Sequence, residues 1–446
     1  MKKKSLYFII LLLLICILIL FSLRPFIIFL AYFILIIYTF WGIYHIVLLI
    51  FGLRSPFQPR LNPISYPKIS VIIPARNEIV LGRTIETILH DVKYPLGKKE
   101  IIVVTEDSLC ERITLWYQQK YPEIIKLLKR KEFFPTKPSA LNDAFQFATG
   151  EIVGIVDVED ILEIDAFYKI ASAMKGHDID IIQAILRVSN ENDSWITRIF
   201  SMEYAGWFRI ILNGRSKMDL FTPLGGTGNY FKKELVKFVG GWDSLNLTED
   251  AEITVRFTLS KRKVVVLDLR QWEEAPVTFK AWLRQRTRWF RGWMQTFWSY
   301  FNLLFKRWAI KRIGFFNILS IMIMLIAPFL VILNWVAYSL TTLWLLEYFR
   351  ILHTNVMADT FPFFAIAPTL FNILYYYIWL KGASLEKIGK KNYLYIPHMI
   401  FYMNVMMPLA SLRALYQEIT KPIYWDKTEH DGRGVKWITV VGKTNQ

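Results

Sequence analysis

Cysteine is scarce: Cys16 and Cys110 are the only two in 446 residues, too few for a disulfide framework or a cysteine-based zinc site. Acidic side chains are also in deficit, 37 against 54 Lys and Arg, which leaves a formal charge of +17. Base-stacking and recognition-helix motifs are missing, so that excess does not point to nucleic acid. Internal repeats and low-complexity stretches are missing too. What is present is apolar: 54% of residues are hydrophobic, far too many for a disordered chain.

The apolar residues are concentrated. Residues 5–23 and 25–53 contain no Asp, Glu, Lys or Arg, and the same holds for 313–346, 360–380 and 392–412. The first two are long enough to cross a bilayer. They read as an uncleaved hairpin, since no small-residue cleavage site follows the Met1-Lys-Lys-Lys4 start. With those lysines inside, two crossings return the chain to the cytoplasm at Arg54. The 313–346 segment is one tilted helix or two short ones around Pro328 and Asn334, and 392–417 is partly re-entrant or interfacial, giving three or four C-terminal spans. Transport pathways usually carry charged groups within their spans; no Asp, Glu, Lys or Arg lies inside these segments, which argues against a transporter.

Between the membrane blocks, Ile69–Ile73, Ile101–Val104, Ile152–Val156, Ile181–Leu186 and Val264–Leu267 read as buried strands. Helical spacing occupies 79–92, a stretch from about 111, and 139–148. This alternation predicts an α/β domain, a mostly parallel sheet with helices on both faces. Ligands bind at the carboxyl ends of such strands. There stand Pro74-Ala-Arg-Asn-Glu78, Thr105-Glu-Asp107 and Asp157-Val-Glu-Asp160. Asp157 and Glu159 leave an extended backbone on the same side and suit a hard divalent ion, with Asp160 an alternative ligand. Thr248 can cap a helix whose first turn holds Glu249 and Asp250. Gln285, Arg288 and Trp289 share one helix face. That helix also suits a membrane surface, with Trp282, Trp289 and Trp293 at the interface and Arg284, Arg286 and Arg291 near headgroups.

In order along the chain, this set resembles the membrane-bound family 2 inverting glycosyltransferases, the group of cellulose, chitin and hyaluronan synthases. Val71-Ile-Ile-Pro-Ala-Arg-Asn-Glu78 is similar to the opening strand, Lys137-Pro-Ser-Ala-Leu-Asn142 to the K-A-L-N stretch, and Asp157-Val-Glu159 to the D-x-D metal motif. Gly226-Thr227 resembles the acceptor-side motif, Thr248-Glu-Asp250 the T-E-D, and Gln285-x-x-Arg288-Trp289 the Q-x-x-R-W. Tyr424-Trp-Asp-Lys-Thr428 is more loosely similar to a gating loop, through Trp425, Lys427 and Thr428.

The resemblance implies a GT-A-like fold and a metal-dependent, inverting hexosyl transfer from a nucleotide-diphosphate sugar, UDP-sugar favoured. The acceptor is a growing glycan at the cytoplasmic face of the plasma membrane; the alternative is a single sugar added to a lipid. Asp250 is the implied base, with Glu249 second, and Asp157 and Glu159 hold Mg²⁺ or Mn²⁺. Ala75, Glu78, Glu106, Asp107 and Lys137 meet the nucleotide. Gln285, Arg288, Trp289, Gly226 and Thr227 meet diphosphate and acceptor. The implied layout is a membrane hairpin (1–53), the transferase domain (54–281), interface helices (282–312), C-terminal spans (313–417) and a cytoplasmic tail (418–446).

Overall fold

In the computed structural model the described residues are 23–60, 65–130, 136–351 and 363–420. The first apolar segment and the Trp425–Thr428 loop lie outside them. Among the described residues one compact unit takes in the chain up to Ile46 with Phe329–Tyr377, and a second takes in Val47–Pro328 with the chain from Ile378.

The larger unit is built on an eight-stranded sheet of order β3-β2-β1-β4-β7-β6-β8-β5. Its strands are β1 Ile69–Ala75, β2 Lys99–Thr105, β3 Ile125–Lys129, β4 Ile152–Ile155, β5 Ile161–Leu162, β6 Ile181–Val188, β7 Asn229–Lys232 and β8 Val264–Glu273. β-Branched runs form strands buried on both faces, and the pleat sends successive side chains to opposite sides. Val71, Ile73, Ile101 and Val103 enter one core with Leu81, Ile85, Phe167 and Ile170. Ile72, Ile102, Val104 and Val153 enter the other with Leu141, Ala144, Ile253 and Phe257.

The sheet is more mixed than expected. β1 runs parallel to β2 and β4, and β2 to β3, but β7 lies antiparallel between β4 and β6. That return strand has a consequence for chemistry. Because Ile155 pairs with Asn229, the residues just before β7, Gly225–Gly228, are delivered to the carboxyl end of β4, where Asp157 stands.

The helices that matter below are α1 Leu23–Gly52, α2 Ser108–Lys120, α3 Lys137–Phe147, α4 Trp195–Tyr204, α5 Glu249–Leu259, α6 Phe279–Leu304, α7 Arg307–Ile313, α8 Phe315–Leu325, α9 Ala327–Tyr348, α10 Phe363–Leu385 and α11 Met407–Thr420. The 79–92 helix is shorter than its spacing suggested, ending at Glu86 and closing in a π turn, Thr87–Asp91. A second π segment, Ala205–Leu212, continues α4. Asp107 caps α2 through Leu109 and Cys110 amides, and Thr136 caps α3. Thr248 makes no side-chain cap on α5; its amide and hydroxyl both point to Asn246 Oδ1.

Two described helices are long and apolar enough to cross a membrane, Pro25–Gly52 and Ala327–Tyr348, and a third candidate arises if α7 and α8, bent by 106°, are one broken span. α10 contains Pro368, and the 392–417 stretch is broken into a 3₁₀ turn, a short helix, a π turn and α11. In the smaller unit, Tyr38 of α1 donates to Leu330 O at 2.9 Å and Trp41 stacks on Phe371 at 4.3 Å. Phe29, Tyr32, Ile36, Phe40 and Ile43 stay exposed on α1, the pattern of a surface met by lipid.

Candidate active site

The carboxyl end of β4 turns sharply at Asp157. Its amide donates to Asp160 Oδ2 at 2.7 Å and lies 3.1 Å from Thr227 Oγ1. Gln271 Nε2 reaches the same Asp160 oxygen at 2.7 Å, and the Thr227 hydroxyl donates to it as well. Asp160 is therefore a buried strut, and burial next to Asp157 and Glu159 holds its carboxyl well above the usual range. Its expected alternative role as a ligand competes with these bonds. Arg83, from the Leu81–Glu86 helix, clamps the turn by donating to Glu159 O at 2.7 Å. Asp157 and Glu159 are left lining one open cleft, a concave site of mixed polar and aromatic walls.

Lys137 enters this cleft from the first turn of α3. Its ammonium lies 2.5 Å from Asp157 Oδ1 and 2.9 Å from Gly226 O. The carboxylates of Asp157, Glu249 and Asp250 hold it protonated, against burial that pushes the other way. A side chain at Gly226 would sit 3.6 Å from the Lys137 ammonium and 3.7 Å from Asp250 Oδ2. Thr227 is turned behind the cleft, 1% exposed. At the far end of the same stretch Asn142 grips the Trp242 backbone on both sides, at 2.7 and 2.8 Å, which fixes the loop leading to Thr248.

Glu249 and Asp250 open α5. Burial raises Glu249 to about 7, helped by the Asp250 charge and opposed by Lys137. Burial likewise raises Asp250 to about 6, opposed by the Ala251 amide, Lys137 and Arg288. Such a value suits a group that must be ionised near neutrality and still accept a proton.

α6 faces the cleft with Gln285, Arg288, Trp289 and Trp293. Among the described residues Gln285 Oε1 is buried with no hydrogen-bond partner, an acceptor that a ligand hydroxyl would satisfy. Tyr204 stacks near Trp289 at 6.2 Å, and Trp207 near Trp293 at 6.3 Å, so the wall is aromatic. Trp282, expected at a lipid surface, is instead fully buried, and Arg286 and Arg291 are buried with it. Arg286 forks onto Glu203 at 2.9 and 2.7 Å; Tyr402 donates to Glu203 at 2.6 Å and accepts from Trp282 at 2.7 Å. Arg291 pairs with Glu418 of α11 at 3.0 Å. A Cβ at Gly292 would come within 2.7 Å of the Thr248 amide, so α6 packs directly on the start of α5.

The remaining nucleotide candidates lie on the neighbouring loops. Ala75 ends β1 opposite Thr105. The Glu78 amide meets Cys110 Sγ at 3.5 Å. Asp107 is spent on the scaffold, accepting from Asn77, Thr105, Leu109 and Cys110. Glu106 is paired with Arg130 at 2.8 Å, and Arg130 also binds Asp143 and Ser139. Glu273, Glu274, Tyr204 and Trp207 also line the cleft, and no local pattern in the sequence marked them. Only Gly292, a glycine inside a helix between Arg291 and Trp293, carried a signal for a close approach.

Residues 67–292 match the family Glycosyltransferase like family 2, and the chain belongs to that family. A beta-monoglucosyldiacylglycerol synthase of Nostoc sp. is 23% identical over 267 residues, 59% of this chain and 56% of that one. A poly-beta-1,6-N-acetyl-D-glucosamine synthase of Staphylococcus epidermidis is 27% identical over 240 residues, 52% of this chain and 57% of that one. The chain thus spans little more than half the length of these relatives. The mannosyltransferase PcManGT of Pyrobaculum calidifontis, solved in complex with GDP-Man and Mn²⁺, aligns with a TM-score of 0.55 at 16% identity, covering 89% of this chain and all 100% of that one. That likeness establishes the GT-A-type fold.

Proposed function

We propose that this chain is a multi-pass membrane glycosyltransferase that moves a sugar, with inversion, from a nucleotide-diphosphate donor to an acceptor hydroxyl at the cytoplasmic membrane face. The observation that carries this reading is the convergence on one cleft of a carboxylate pair at the end of β4, a raised Asp250, the Lys137 ammonium and the Gln285–Arg288–Trp289 face.

Asp157 and Glu159 offer hard oxygen donors, the type that Mg²⁺ or Mn²⁺ takes alongside water and phosphate oxygens. Among the described residues no cluster of three acids, histidines or cysteines closes around a point, so the two carboxylates fit an ion that shares its shell with the donor's diphosphate. Such an ion supplies Lewis-acid stabilisation of the leaving group. Lys137 and Arg288 add charge to the same phosphates, Arg288 through a planar fork. Asp250 takes the acceptor proton as the acceptor oxygen bonds to the anomeric carbon and the bond to diphosphate breaks on the opposite face. Gln285 accepts from a sugar hydroxyl, and Trp289 presents an apolar face to the ring. Glu106, held by Arg130, would accept from the imide of a uracil base if the donor is a UDP-sugar.

The acceptor is a growing glycan in the reading favoured by the aromatic wall and by the polymer named for the Staphylococcus relative. The glycolipid named for the Nostoc relative supports a second reading, one sugar added to a lipid. A panel of nucleotide sugars assayed for released nucleotide, with the labelled product both sized on a gel and extracted into organic solvent, tests the function and separates the two. Lack of turnover with every donor refutes it. Asp157→Asn should abolish Mn²⁺ binding measured calorimetrically with nucleoside diphosphate present; undiminished binding would remove Asp157 from the metal site.

A further inference from the structure

Outside the cleft, the strongest unassigned feature is a basic elbow at the junction of α7 and α8. A second, open cavity there is lined by Lys261, Arg262, Lys263, Arg312, Asp219 and Asn317, among others. Lys261, Arg262, Lys263 and Arg312 are all exposed, as are Lys306, Arg307 and Lys311 on the approach to it. The acids facing this group are Asp219, paired with Lys263 at 2.5 Å, and Asp180, paired with Arg262 at 2.8 Å. Seven bases against two acids leave a strong local positive charge.

The same elbow exposes a band of large apolar side chains: Phe305 at 58%, Trp308 at 48%, Phe315 at 61% and Phe316 at 72%. α7 carries the pattern of an interfacial helix, with Trp308 and basic residues together. The chain then bends by 106° into α8, which is wholly uncharged. An amphipathic helix that turns at Gly314 into an apolar one places the elbow at headgroup depth, and the basic cavity with it. The amino end of α8 adds a favourable dipole for an anion at that depth.

We infer that this elbow is a binding site for the phosphate headgroup of an anionic phospholipid. The site communicates with the chemistry through α5. That helix begins at Glu249 and Asp250 and ends at Leu259, whose carbonyl accepts from Arg312 at 2.6 Å. Eleven residues span about 16 Å at the α-helical rise, so a headgroup clamping Lys261 and Arg312 steadies the helix that presents Asp250.

The inference rests on the membrane reading of α7 and α8, not on sugar transfer, and its main readout is independent of turnover. The full-length protein is placed in nanodiscs of phosphatidylcholine with or without a minor fraction of phosphatidylglycerol. The motionally restricted fraction of a spin-labelled phosphatidylglycerol is compared with that of the labelled choline lipid, and turnover is recorded in parallel. Wild type should retain the anionic lipid preferentially and turn over faster when it is present. Lys261→Gln with Lys263→Gln should lower that preference by roughly 25-fold, about fivefold per lysine, while turnover in phosphatidylcholine alone is unchanged. The contribution of the approach along α7 is separated by Arg307→Gln with Lys311→Gln, which should weaken the preference without removing it. Equal retention of the two lipids, or an undiminished preference in the Lys261/Lys263 variant, overturns the inference. So does acceleration of turnover by inorganic phosphate in neutral discs, which would assign the cavity to a free anion.

Discussion

Asp250→Asn should separate a catalytic base from an ordinary helix-opening acid, because the two roles predict opposite changes in stability. An acid in the first turn of an exposed helix favours the dipole, and its loss costs about 0.3–1 kcal/mol. Asp250 is different: burial raises it from 3.8 to about 6. Each unit corresponds to about 1.4 kcal/mol, so the ionised carboxylate costs about 3 kcal/mol, or about 1–2 kcal/mol after discounting for its partial exposure. A raised acid contributes most below its unfolded pKa of 3.8 and loses that contribution as pH rises to about 6. The cost is therefore complete at pH 8 and only partly developed at pH 5. Asparagine removes it, so the variant should unfold at a higher temperature at pH 8, about 2–4 °C per kcal/mol for a domain of this size, with a smaller gain at pH 5. Nucleotide release should fall by about 10²–10⁴, the usual worth of general base catalysis. Thermal scans by tryptophan fluorescence at the two pH values, alongside donor turnover, measure both. Retained turnover, or a lower unfolding temperature at both pH values, refutes the assignment.

Glu203→Gln strips the charge from the buried Arg286 fork and should lower stability by about 3–5 kcal/mol, read as a fall in unfolding temperature; Glu203→Leu combined with Arg286→Met should recover part of it. Tyr402→Phe leaves the Trp282 indole N–H without its partner and removes one of the two donors to a Glu203 oxygen, and should cost about 1–3 kcal/mol in the same assay. Glu106→Gln should weaken competition by free nucleoside diphosphate roughly tenfold, the worth of one charged hydrogen bond, with the pH profile unmoved; unchanged affinity would make Glu106 merely a partner for Arg130.

The parts of this molecule legible in the sequence are those whose chemistry is local. β1, β2 and β4 are short β-branched runs followed at once by polar loops, so both the strands and the placement of Ala75, Glu106 and Asp157 at their ends could be read directly. β7 could not: Asn-Tyr-Phe-Lys is four residues with no alternation to mark it, yet it is the strand that brings Gly226 to Lys137. β3, Ile-Lys-Leu-Leu-Lys, hides behind its lysines. The tryptophans of α6 show the same limit from another side. Their spacing is that of an amphipathic helix, and nothing local tells a lipid-facing Trp from one buried against Tyr402, a residue 120 positions away. The exposed tryptophans of α6 and α7 stand further along, at Trp298 and Trp308.

The charge in the cleft constrains the order of events in the proposed reaction. Asp157, Glu159, Glu249, Asp250, Glu273 and Glu274 all line it, against Lys137 and Arg288. A diphosphate entering that field alone would meet net repulsion even with Glu249 and Asp250 partly protonated, so the proposed reaction would favour a donor that arrives with its divalent cation. Lys137 now neutralises Asp157 at 2.5 Å, the carboxylate assigned to the metal. A cation held by Asp157 would compete with that contact, and the Gly226 carbonyl offers the ammonium a second anchor at 2.9 Å. In the proposed reaction Lys137 would then be free to turn toward the phosphates while keeping its bond to the Gly226 carbonyl.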